Sequence, residues 1–447
     1  MKRQCFIAVI LSMLALLLGA CTLTVPDEPI TDTPTTPPAT ISPSPEPSPP
    51  VVTGDAVSVL VNGNSSFAFD LYRMLKEEDG NFFYSPYSIS MALAMTYAGA
   101  RGETAEQMAD TLHFILPEER LHPAYSDLGE ELAQRGKGRE LLVMQPEGDP
   151  VKENIEGFRL SIVNALWGQE GYEFLNGYLD LVERYYGGGL KILNFIDEPE
   201  PSRLEINKWA SEQTEGRIQN LLPPGVITPL TRLILTNAIY FKARWENEFS
   251  ERMTQDDTFY LLDGNTVTVP MMHQKTRFAY AEGGDFQAIR LPYLGGEIAM
   301  VVLLPREGRF EAFEGSLELN KLNDIIGDMA VREVRLALPK FEFEADYRLG
   351  KTLSDLGMPA AFSYGLADFS GMDGNRELFI SSVIHKTFVS VDEEGTEAAA
   401  VTAIPMAGSA PPAGPVDFTA NRPFIFLIQD IKTGAILFIG RILNPAA

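Results

Sequence analysis

Apolar positions recur at helical spacing early in this chain, and later the spacing shortens to that of strands. Phe67, Ala68, Leu71, Met74 and Leu75 lie behind Asn64-Ser65-Ser66, a run of helix N-cap residues, and so predict an amphipathic helix opening the folded part. The spacing predicts further helices over residues 88–98 and 103–112. Residues 233–242 (LILTNAIYFK), 298–304 (IAMVVLL) and 335–341 (RLALPKF) are short apolar or alternating runs, as buried strands require. Residues 424–428 and 435–439, two apolar runs around a polar turn, predict a hairpin in a core sheet. Helices concentrated early and strands late predict an α+β fold, and no internal repeat interrupts it.

The N-terminus follows another pattern. Lys2 and Arg3 precede an apolar run from Phe6 to Leu18, too short to span a bilayer, and Leu18-Gly19-Ala20-Cys21 follows. That combination predicts a secretory signal over residues 1–20. Small residues directly before a cysteine resemble the bacterial lipobox, which makes Cys21 the expected lipidation site and mature N-terminus. Residues 21–54 are dominated by Thr, Ser and Pro, with ten prolines, and cannot bury enough surface to fold. As a polyproline-like tether at about 3.1 Å per residue they reach on the order of 100 Å. The expectation is a domain of residues 55–447 held outside the cytoplasm, at the cell surface or in the periplasm, on a lipid anchor that is its membrane contact. Cys5 and Cys21 are the two cysteines, so no disulfide is expected in the mature chain and packing must hold the fold together.

Composition narrows the partners. A net charge of −25 argues against nucleic acid and polyanions. Four histidines with no paired-ligand spacing leave no metal site in view. Residues 407–410 (AGSA) lack the pattern of a nucleophile elbow, and no glycine-rich phosphate loop follows a strand. Neither an enzyme nor a cofactor is expected.

One segment stands apart. After Glu393 and Glu394 come Gly395, which frees the backbone, then Thr396, Glu397, Ala398, Ala399, Ala400, Val401 and Thr402, and then a Pro-punctuated stretch. Every second residue after the glycine (Thr396, Ala398, Ala400, Thr402) is small or β-branched, so that face can slide between packed strands. Composition alone favours an ordinary Ala-rich surface linker, and the rest of the chain has to decide.

Eight segments in order resemble the serpin family: residues 81–90 (NFFYSPYSIS), 99–104 (GARGET), 164–167 (NALW), 236–242 (TNAIYFK) with Trp245, 291–293 (LPY), 385–389 (HKTFV), 393–400 (EEGTEAAA) and 421–424 (NRPF). The match runs from about residue 65 to the C-terminus. The resemblance implies helices packed around a large central β-sheet, with further sheets and an exposed reactive-centre loop over about residues 393–420. It implies a suicide-substrate inhibitor of a serine protease, with cysteine proteases as the alternative class, acting as a monomer. The loop is cleaved as bait, its hinge side inserts as a new strand in the central sheet, and the acylated protease is dragged along. A non-inhibitory binding protein of the same fold is the second reading.

The resemblance also assigns residues. The hinge is Glu393, Glu394, Gly395, Thr396, Glu397, Ala398, Ala399 and Ala400, with Glu394 and Glu397 expected toward solvent. Ser85, Ser88, Asn164, Asn237 and His385 match a cluster beneath the sheet whose hydrogen bonds govern whether the strands part. Trp245 and Glu393 match the region where the loop first enters. The scissile bond usually lies about fourteen residues past the hinge glycine, which gives Ser409 and Ala410, with Met406-Ala407 competing. A small uncharged residue there, and no Lys or Arg between Glu397 and Ala420, points to elastase-like or subtilisin-like proteases. Residues 136–152 are longer than the family pattern.

Overall fold

The computed structural model describes residues 54–135, 139–143, 151–155, 158–396 and 414–447. The N-terminal part is mainly helical: α1 (Gly54–Leu75), β1 (Phe82–Tyr84), α2 (Pro86–Tyr97), α3 (Gly102–Leu112) and α4 (Glu118–Arg135). Helix α2 starts where Ser85 caps it, its hydroxyl accepting from Ser88 N at 3.2 Å, with Pro86 at the first position, where no backbone donor is needed. Residues 136–152 fall partly on a separate hairpin, β2 (Arg139–Val143) against β3 (Val151–Ile155).

The first helix starts ten residues before the predicted cap. Ala56, Val57, Leu60 and Val61 continue the buried stripe upstream, so Asn64 and Ser65 sit buried inside α1. An apolar face packed on the body outweighs a local capping preference.

The chain continues through β4 (Phe158–Gln169), α5 (Asn176–Tyr186), β5 (Leu190–Leu193), α6 (Pro199–Gln213) and β6 (Leu233–Arg244). Then come β7 (Gln255–Tyr260), β8 (Thr266–Glu282), β9 (Phe286–Pro292) and β10 (Ile298–Pro305), followed by two short helices, α7 (Phe310–Gly315) and α8 (Leu319–Gly327). Residues 335–341, predicted as one strand, are divided at Lys340 between β11 (Ala330–Pro339) and β12 (Phe341–Arg348). The apolar run over residues 336–338 carries no sign of the division, but Lys340 N donates to Pro270 O and the two strands join different sheets. After α9 (Leu349–Leu356) and α10 (Ser370–Asp373) come β13 (Ile380–Val391), β14 (Gly395–Thr396), β15 (Val416–Thr419) and the expected core hairpin, β16 (Phe424–Asp430) against β17 (Ile436–Ile442).

Among the described residues the strands form two large sheets. One has nine strands, β1-β17-β16-β10-β9-β8-β11-β15 with β7 on β8. The other, here the central sheet, runs β12-β13-β6-β4-β5, with β14 on β6. Strand β6 shows why it sits in the middle. Leu233, Leu235, Ile239, Phe241 and Ala243 enter the main core, whereas Ile234 and Ala238 join a second cluster with Ile206 and Ala210 of α6. A strand buried on both faces needs a nearly continuous apolar run, which is the pattern read in the sequence.

Candidate functional site: a seam in the central sheet and the hinge at its mouth

Strands β6 and β13 run parallel and pair from Leu233↔Ile380 to Tyr240↔Phe388. Beyond those residues both strands continue, to Arg244 and Val391, without pairing to each other. The described sheet therefore has a closed seam with a mouth at one end. Two groups of side chains control it.

The first group crosses the seam at mid-height. Register aligns Asn164 of β4 with Asn237 of β6, and Asn237 with His385 of β13, so three neighbouring strands present one polar row. Asn237 Nδ2 donates to Asn164 Oδ1 and to Ser88 Oγ of α2. Ser88 Oγ donates to Asn164 Oδ1, and Asn164 Nδ2 donates to Ser88 O, both at 3.2 Å. The backbone N–H of Ser85 donates to His385 Nε2 at 3.1 Å. That bond fixes the imidazole: Nε2 accepts, so Nδ1 carries the proton and donates it to Asn237 Oδ1 across the seam. His385 is fully buried, and burial pulls its pKa down to about 3. The ring stacks on Tyr347 at 5.9 Å.

The structure places Ser85, Ser88, Asn164, Asn237 and His385 in one hydrogen-bonded network. Trp245 lies eight residues past Asn237, just beyond the end of β6 and about 26 Å away at strand rise, and belongs to the second group at the mouth.

There the chain leaves β13 and reverses. Asp392 Oδ1 accepts from the N–H groups of Glu394 and Gly395 at 3.0 and 3.1 Å, and Asp392 N donates to Gly395 O at 2.9 Å. Trp245 holds this turn by two bonds, Nε1 to Asp392 O at 3.0 Å and backbone N to Glu394 O at 2.9 Å, with its ring stacked on Tyr293 at 4.6 Å. Glu393, 6 % exposed, accepts from Thr254 Oγ1 at 2.7 Å and from Lys340 Nζ at 2.5 Å. Burial pushes its carboxyl up, but these donors outweigh it and hold the group below the usual carboxylate range.

After the turn, Gly395 and Thr396 pair antiparallel with Arg244 and Ala243. Only glycine fits there, because a Cβ at residue 395 would overlap the Ala243 carbonyl oxygen and lie 2.7 Å from Arg244 Cα. Glu394, expected toward solvent, is half-buried: its backbone is held by Trp245, and its Oε2 is shut away from water.

Lys340, Thr254 and Asp392 were missed in the sequence. Asp392 had a legible signal, since Asp followed three residues later by Gly is a type I turn pattern. Lys340 and Thr254 come from distant segments and had none. Glu397, Ala398, Ala399, Ala400, Met406, Ala407, Ser409, Ala410 and Cys21 lie outside the described residues. Past the loop, β15 pairs parallel with β11, Val416 opposite Val334 through Thr419 opposite Ala337, so the far end of the expected loop is already strand. Among the described residues no group of His, Asp or Glu is placed to hold a metal ion.

Comparisons with known proteins agree with this geometry. A family profile described as "Serpin (serine protease inhibitor)" matches residues 62–445. An uncharacterized serpin-like protein of Thermococcus kodakarensis is 45% identical over 389 residues, covering 86% of each chain. The human leukocyte elastase inhibitor is 38% identical over 397 residues, covering 86% of this chain and 99% of its own. The crystal structure of uncleaved ovalbumin superposes with a TM-score of 0.75 at 30% identity, over 86% of this chain and all of the other.

Proposed function

This chain belongs to the serpin family, and from that premise we propose that it inhibits serine proteases as a suicide substrate, by inserting its cleaved loop between β6 and β13. Serpins are protease inhibitors rather than catalysts, so the chain is not an enzyme and a protease is its natural partner. Its action is mechanical.

The observation that carries the proposal is the seating of the hinge. Gly395 and Thr396 already occupy the mouth of the seam in antiparallel register with β6. Continuing that register in an inserted strand sets Ala398 opposite Phe241, Ala400 opposite Ile239 and Thr402 opposite Asn237. Phe241 and Ile239 belong to the main core, so Ala398 and Ala400 would enter it and Glu397 would fall on the other face. Small residues on the core-facing positions keep a tightly packed interior passable. Before insertion the Asn237–His385 bond holds the seam shut; the incoming strand must part it. The state with the seam closed is then a kinetic one, kept by a barrier rather than by being the lowest in free energy.

The target class we propose is elastase-like or subtilisin-like, on the small residues at Ser409-Ala410 and with a relative that is a leukocyte elastase inhibitor. The molecule acts as a monomer, anchored outside the cytoplasm by a lipid on Cys21 and raised on the tether. Replacing Cys21 with Ser should release it from the membrane fraction.

Incubation with pancreatic elastase or subtilisin tests the mechanism. An adduct that survives boiling in detergent is expected, with a released fragment beginning at Ala410 by mass spectrometry. Clean cleavage with no adduct across a broad protease panel, and no rise in thermal stability afterward, would leave the non-inhibitory binding protein as the better account.

A further inference from the structure

Helix α2 lies behind the seam, and its two faces meet different partners. Each residue turns a helix by about 100°, so Ser88 and Ser90 point about 200° apart, to nearly opposite sides, whereas Tyr87 and Ser90 share a face. Ser85 at the cap and Ser88 hold the seam, through His385, Asn164 and Asn237. The face carrying Tyr87 and Ser90 is turned toward α4. Ten of the twelve residues of α2 are buried, so the helix has no broad solvent side toward which to shift.

Against that second face stands Tyr125 of α4, buried in the main core. Its hydroxyl shares a hydrogen bond with the Ser90 hydroxyl, and its ring stacks on Tyr87 at 6.4 Å. Phe114 meets the same ring edge-on at 6.2 Å, and the Tyr186 ring of α5 lies 6.2 Å away. His122, one turn earlier on α4, is hydrogen-bonded through Nδ1 to the Tyr186 hydroxyl at 2.7 Å. At the other end of α4, Arg135 Nε donates to Asp430 Oδ1 at 3.0 Å, which ties the helix to the turn of the β16–β17 hairpin. Tyr125 is thus held from several sides, and burial pushes its phenol pKa up, so the hydroxyl keeps its proton.

We propose that Tyr125 is a positioning residue for the seam: bonded to Ser90, it fixes how deep α2 sits and so keeps Ser85 and Ser88 within reach of His385, Asn164 and Asn237. Ser85 and Ser90 are separated by less than two turns of one helix, about 8 Å along its axis, so a shift at Ser90 reaches the cap. The effect on the seam stands on these contacts; its consequence for trapping rests on the function proposed above. There, a seam held less firmly parts sooner for the incoming strand.

Hydrogen exchange on the full chain reads the seam, because the Ser85 N–H exchanges only when its bond to His385 opens. Tyr125→Phe keeps the ring and removes the hydroxyl, and should speed exchange at Ser85 about fivefold, the factor expected for one net hydrogen bond. Ser90→Ala should do the same, and it carries the test where Tyr125→Phe does not fold. The double variant should stay within about twofold of either single one, since both remove the same bond. Tyr280→Phe is the control: its buried hydroxyl accepts from Gln287 Nε2 at 3.0 Å in the nine-stranded sheet. That change should leave exchange at Ser85 within about twofold of the parent. With elastase or subtilisin, the limiting rate of adduct formation should rise about threefold in Tyr125→Phe. The proposal is overturned if exchange at Ser85 is unmoved in Tyr125→Phe and Ser90→Ala, even where the thermal midpoint falls, or if Tyr280→Phe moves it as far. Faster exchange at Ser85 with no adduct from parent or variant counts against the inhibitor reading alone. Faster exchange with an unchanged rate of adduct formation overturns the link to insertion.

Discussion

Placing a charge on the inward face of the hinge is the sharpest test of the insertion register. In Ala398→Arg the guanidinium of the inserted strand would lie opposite Phe241, which is 2 % exposed in the main core. An unpaired charge buried in a core costs about 3 to 5 kcal/mol. Residue 398 is the second inward residue to enter, so roughly half of that cost is felt at the barrier to insertion, about 2 kcal/mol, which slows the step about thirtyfold. Deacylation of the protease is untouched, because the scissile bond lies about eleven residues away. The ratio of cleaved to trapped inhibitor should therefore rise about thirtyfold, read by titrating a fixed amount of elastase or subtilisin and resolving adduct from cleaved product on a denaturing gel. Glu397→Arg adds a like side chain one residue earlier, on the opposite face, and should leave the ratio within about threefold, less than 1 kcal/mol. The reasoning fails if both variants behave alike, or if Ala398→Arg still traps as the parent does.

Three further outcomes follow from the seam. His385 is depressed in the folded state to about 3, so the unfolded chain takes up its proton first; stability is full above the unfolded value near 6.5 and is lost as pH falls from there toward 3. Urea melts between pH 7 and 5 should show a slope of up to about 1.4 kcal/mol per pH unit from this group, absent in His385→Gln, while His122, pulled down by burial to about 4, contributes a slope that persists. Lys340→Ala leaves the buried Glu393 carboxylate with Thr254 as its side-chain donor and, discounted for the exposure of the lysine, should lower stability by about 1 to 2 kcal/mol, seen as a lower thermal midpoint at neutral pH. Gly395→Val cannot keep its place against the Ala243 carbonyl, so the hinge should leave β6 and become more susceptible to limited proteolysis on its N-terminal side.

Much of this site was readable before any coordinates because its parts are local. The strand over residues 233–242 is apolar on both faces, and the hinge pattern is a period of two in small residues. The polar row was legible through resemblance alone, because Asn164, Asn237 and His385 are far apart in sequence and meet only through sheet register. Three things were not legible. The start of α1 was misplaced because a strong local cap signal sits inside a longer buried stripe. Residues 335–341 read as one short, mostly apolar run while changing sheets at Lys340. The environment of Glu394 depends on Trp245 and on carboxylates 140 or more residues earlier, and no window of sequence contains it.

The ends of the chain hold one more consequence. β1, near the start of the domain, pairs with β17, near its finish, Phe82 opposite Arg441. β16 and β17 stand in the interior of the nine-stranded sheet, and the side chains of both are buried. A nascent polypeptide therefore cannot complete its core until its last two dozen residues have emerged. Contacts spanning nearly the whole sequence make for slow folding. During that wait both seam strands and the hinge have already been made, so the seam has to stay closed before the hairpin that finishes the core is in place.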